Sequence, residues 1–202
     1  MERQELYHFH KVGSYDHFWK VGNTIDVSEN FKSPTYKRFC DFTTASSTFT
    51  KDKINLYDVI KFYLESGKIN EKIAMKLIDE AYKVSFRANE FKRESALENF
   101  RVNNNYIYPS RLHSMYLTDE KGILEWSKKF GRANLELYRV EIEGDIFKTS
   151  EFFIPDETLP YNKFYEKSYD YWNPNFKKAP DDSNEYLVQG KVLIKEKINP
   201  GL

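Results

Sequence analysis

Cysteine is almost absent: Cys40 is the only one in 202 residues, so no disulfide can form within the chain. No reactive-cysteine motif surrounds it, and a small packed side chain is the simpler role. Neither sign of charge is in excess, with Lys plus Arg and Asp plus Glu at 31 each. That balance removes any global attraction to nucleic acid or to an anionic membrane and leaves only local patches open. No run approaches the ~20 apolar residues of a spanning helix. Glu2, Arg3 and Glu5 leave no apolar stretch of signal-peptide length at the start. There is no GxxxxGK[ST] or GxGxxG run, which argues against P-loop and Rossmann nucleotide sites. No nucleophile elbow surrounds Ser114. The expectation from these absences is a soluble, cytoplasmic protein with no membrane partner.

What is present is aromatic. Fifteen Tyr and sixteen Phe bring the aromatic share to 17%, too high for a disordered chain and enough for a substantial core. The length suits a single domain over residues 1–202. Leu6 to Val12 reads as a strand, with Leu6, His8, His10 and Val12 on one face and Tyr7, Phe9 and Lys11 on the other. A short helix is expected over 16–20 and a second strand over 24–27. Residues 31–53 lack periodicity and read as a loop. From 55 to 102 the pattern turns helical: Asn55 and Asn70 can cap successive helices, Gly67 separates them, and Ile73, Leu77, Ile78, Ala81 and Val84 recur at helical spacing. This stretch reads as a helical insertion. Strands are expected at 106–108 and 112–118, then a helix capped by Thr118 or Asp119. A hairpin is expected from 135–143 into 146–149, turning at Gly144–Asp145. Prolines break up 155–184 around one helix at 161–171, and Glu185 to Ile198 forms the last strand. The fold class implied is α+β.

Three segments carry candidate chemistry. His8 and His10 share a strand face about 7 Å apart; they read as satisfied structural imidazoles, as an acid–base pair or, with Glu185 and His113, as a weak metal set. Arg111 reads as a surface arginine or as a phosphate clamp, since guanidinium offers paired donors. Ser114 and Tyr116 share a face of the next strand, and core packing of Tyr116 is as plausible as function. Glu185 opens the last strand, where a carboxylate is held rigidly.

In this order the segments Tyr7–His8–Phe9–His10, Arg111 to Thr118, and Glu185–Tyr186–Leu187–Val188 resemble the ADP-ribosyltransferase fold, in its branch with a histidine first motif. The whole chain also looks like a bacterial or phage family of unassigned function that shares the opening YHFHKVG and the ending EYLVQGKV. The resemblance implies a split-sheet core with the helical insertion at about 55–102, and NAD as cosubstrate. It implies Glu185 and Arg111 as catalytic residues, and His8, His10, Ser114 and Tyr116 as NAD-binding residues, with no metal. Two departures matter: Phe9–His10 stands where Gly and then Ser or Thr are usual, and Ser183 stands where arginine-modifying members carry Glu. The acceptor implied is a macromolecule, with DNA or RNA preferred over arginine. Trp172, Phe176, Lys177 and Lys178 would contact it. A toxin or phage-defence role would bring an antitoxin partner. Two other classes stay open: a non-catalytic nucleotide- or protein-binding module on the same fold, and a nuclease using the histidine pair.

Overall fold

A computed structural model of the chain describes residues 5–13, 16–36, 55–131, 134–156 and 158–199. Cys40 and most of the 31–53 loop lie outside the described residues. Five strands, β1 (Leu6–Lys11), β2 (Thr24–Val27), β3 (Met115–Leu117), β4 (Leu135–Ser150) and β5 (Asn184–Ile198), form one antiparallel sheet. Among the described residues, the helices α1 (Leu56–Glu65), α2 (Glu71–Asn104), α3 (Ile123–Phe130) and α4 (Tyr161–Trp172) accompany it. The class is α+β.

The two long strands β4 and β5 pair from Leu137↔Ile198 to Ser150↔Asn184, with a register shift at Arg139/Val140. β1 lines the free edge of β4, while β3 and β2 line successive stretches of the other edge of β5. Tyr7 and Thr118 exchange backbone hydrogen bonds of 2.8 and 2.9 Å. This bridge ties β1 to the end of β3, so the sheet curls on itself.

Side chains alternate across the strands and separate two cores. Leu6, Met115, Leu117, Tyr138, Val140, Tyr186, Val188, Val192 and Ile194 pack on one face. On the other, Phe147 and Leu187 meet Leu97 and Phe100 of α2 and Tyr171 and Trp172 of α4. A third, small cluster of Leu56, Val59 and Leu77 joins α1 to the N-terminal half of α2.

The caps Asn55 and Asn70 accept from Tyr57 N and Ile73 N, as the sequence suggests. Four expectations are corrected. Residues 16–20 form turns, because the Asp16 carboxylate is drawn back to Gly13 N and His10 rather than capping a helix. Residues 106–108 are also a turn, and the strand expected at 112–118 is only Met115–Leu117. Gly144 makes no hairpin turn: β4 runs straight through it because Gly144 faces Gly190 across the ladder.

Candidate functional site

Arg111 leaves the turn after Pro109–Ser110 and enters the layer between sheet and helices, where it is 4% exposed. Its Nε donates to Glu94 Oε2 at 2.9 Å and its Nη1 to Glu185 Oε1 at 2.7 Å. Nη1 also donates to the Tyr171 hydroxyl, which in turn donates to Glu185 Oε1. The rings of Tyr116 and Tyr171 flank the guanidinium at 5.1 and 4.8 Å. Four elements therefore meet on one cation: Glu94 from α2, Tyr116 from β3, Tyr171 from the last turn of α4, and Glu185 from the start of β5.

The local backbone is fixed from the same residues. The Tyr116 hydroxyl donates to the Arg111 carbonyl at 2.6 Å and lies 3.2 Å from Thr35 Oγ1. Ser33 Oγ donates to that carbonyl at 3.1 Å. Ser114 Oγ donates to the Ser110 carbonyl at 2.6 Å, which closes the turn carrying Arg111. Ser114 thus positions the turn.

Electrostatics follow the burial. Desolvation works to raise the Glu94 carboxyl, but Arg111 and Arg93 outweigh it and hold it below its usual range. Burial opposes the charge on Arg111, yet Glu94 and the other groups around it keep it protonated well above its ordinary value. Burial pushes the Tyr116 and Tyr171 hydroxyls up, so both stay neutral donors. Glu151, just past the end of β4, is raised by burial and then by the Glu185 charge, against the pull of Lys129. Glu185 itself is 2% exposed. Its second oxygen, Oε2, takes no hydrogen bond from any described residue.

The histidines are elsewhere. His8 pairs with Tyr138 across β1 and β4, on the face opposite that of Glu185 and Leu187. Its ring stacks on Trp19 at 4.2 Å and 7°, and Nδ1 lies 3.0 Å from the Tyr116 carbonyl. Burial, offset in part by that carbonyl and reinforced by His10, lowers its pKa to about 4. His10 also stacks on Trp19, at 5.1 Å, and its Nε2 lies 2.8 Å from Asp16 Oδ1. His113 is held through Nδ1 by the Phe31 carbonyl at 2.9 Å. Arg111, Tyr116 and Glu185 are thus brought together, and the histidine pair is on the far side of the sheet. Among the described residues no three His, Cys, Asp or Glu side chains are grouped to hold a metal. A surface hollow lined by Glu5, Tyr7, Asp119, Glu120 and Lys121 contains none of the expected site residues.

In the segment expected to face the acceptor, the role of Trp172 is corrected. Trp172 is fully buried and donates its indole N–H to the Leu97 carbonyl at 2.8 Å, so it cannot stack on a base. Lys177 binds Asp170 at 2.6 Å. The Phe176 side chain lies outside the described residues. Glu94 and Tyr171 escape the sequence reading. The available signal for Glu94 is an acid one turn before Leu97 on the apolar stripe that continues to Phe100.

A family model matches residues 6–200, nearly the whole chain. The chain belongs to that family, described as "Protein of unknown function (DUF2441)". No curated protein matches it. In this family member Arg111, Glu185, Glu94 and Tyr171 form a buried network, and among the described residues no helix is long and apolar enough to cross a membrane.

Proposed function

We propose that the chain is an NAD-dependent ADP-ribosyltransferase-type enzyme in which Glu185 is the catalytic carboxylate, acting on a macromolecular acceptor with nucleic acid preferred. The observation that carries this is the state of the Glu185 carboxylate. One oxygen is locked by Arg111 and Tyr171, and the other accepts from no described residue. A fixed carboxylate with a spare acceptor suits the 2′-hydroxyl of a ribose. When the C1′–nicotinamide bond breaks, the electron pair leaves with nicotinamide and positive charge develops on the sugar. The attraction of Glu185 for the sugar grows as that charge forms, which favours the transition state over the ground state. Arg111 and Tyr171 then act as positioning residues, since both spend their donors on protein carboxylates. His8 and His10 serve the packing of β1 around Trp19 in this proposal, not NAD.

The test is incubation with NAD and RNA or DNA, following nicotinamide release and ADP-ribose attachment. Glu185→Gln is expected to lower the rate about 100- to 1,000-fold while circular dichroism stays native. Transfer that proceeds unchanged in this variant removes the assignment.

The burial of the pair favours a second reading. Arg111 and Glu185 are almost wholly enclosed and join α2, α4, β3 and β5, as a purely structural cross-link would. On that reading the protein is a non-catalytic module: calorimetry would show NAD bound without nicotinamide release, or no binding at all. Glu185→Gln would then alter only stability.

A further inference from the structure

We propose that the chain self-associates through the outer face of α2, two copies packing antiparallel about a dyad near residues 80–81. α2 is 34 residues long, about 50 Å, and Leu97 and Phe100, which pack against the sheet, lie in its C-terminal half. In the N-terminal half Ile73, Leu77 and Val84 face α1. The opposite side carries a second apolar row. Met75, Ile78, Tyr82 and Phe86 are 61, 62, 66 and 39% exposed, and their spacing of three, four and four places them on one stripe. The rings of Tyr82 and Phe86 stack at 6.1 Å, which stiffens the row.

The occupant is read from the symmetry of the row and its charges. Turned end for end about residues 80–81, the row meets itself, with Met75 opposite Phe86 and Ile78 opposite Tyr82. One flank carries Asp79 and Lys83, paired at 2.5 Å within the helix and half exposed. In the antiparallel arrangement Asp79 of one copy falls beside Lys83 of the other, twice per dimer; a parallel arrangement would set like charges together. The other flank carries Ala81 and Ser85, both exposed, small enough for close approach. The stripe from 75 to 86 is about 18 Å long and one helix face wide, a smaller contact than the ~800 Å² per partner of a standard stable interface, so the dimer is a weak, reversible one.

The test is sedimentation velocity of the full chain from about 1 to 300 µM. The native protein is expected to shift with concentration from 24.1 kDa towards twice that mass. Ile78→Glu with Tyr82→Glu should remain monomeric throughout, with native dichroism. Asp79→Lys alone should raise the midpoint about tenfold, and Asp79→Lys with Lys83→Asp should restore it. A native chain that stays monomeric over the whole range overturns the proposal, as does a dimer that survives Ile78→Glu with Tyr82→Glu.

Discussion

One guanidinium, that of Arg111, satisfies two carboxylates and is faced by two tyrosine rings. Removing one partner from such a buried pair commonly costs about 3–5 kcal/mol, because the remaining charge is left uncompensated. Sequence made Arg111 and Glu185 conspicuous, one beside Pro109–Ser110 and one at the head of a strand. It did not show that they bond each other, since 74 positions separate them. His8 supplies a residue-scale prediction. Its pKa is lowered from 6.5 to about 4, so between those values the unfolded chain holds a proton that the folded chain does not. Stability from this group is complete above pH 6.5 and is lost as the pH falls towards 4, by roughly 3 kcal/mol at most. Urea midpoints at pH 7 and pH 4 check it: His8→Phe should flatten the difference, and an unchanged slope would contradict the burial of the ring.

At the scale of elements, β4 and β5 determine where everything else sits. Their middle is made possible by Gly144 and Gly190, which face each other. A Cβ on Gly190 would lie 2.4 Å from the Glu143 carbonyl oxygen and 2.8 Å from Gly144 Cα, at φ +128°. Gly190→Ala is therefore expected to destabilise by about 2 kcal/mol or more. Gly22→Ala, with open space around it, should cost less. Denaturant titration of the two variants gives the comparison, and equal losses would discount the close approach. The alternation of Leu135 to Glu143 announced β4 in the sequence. Gly144–Asp145 read locally as a hairpin, and only the presence of Gly190 opposite explains why the strand continues.

For the whole molecule, the two sheet faces and the α1–α2 arm differ in how they are secured. Residues 94–104 of α2 are anchored by Leu97, Phe100 and the Arg111–Glu94 bond, whereas residues 71–86 rest mainly on the small cluster with α1. Amide exchange should consequently be faster in 71–86 than in 94–104 at dilute concentration. Uniform protection along α2 would contradict an arm of lower local stability. Raising the concentration should slow exchange in the arm if the helices pair. Sequence by itself determined the helices with their asparagine caps, the alternating strands and the α+β class, because these follow from short-range periodicity and capping. Only the tertiary structure decided that Glu185 meets Arg111, Glu94 and Tyr171 while His8 and His10 face the other way. Which side of a strand a residue occupies is local, but which side of the sheet the helices cover depends on contacts between segments far apart in the chain, such as Arg111 with Glu185 and Trp172 with Leu97.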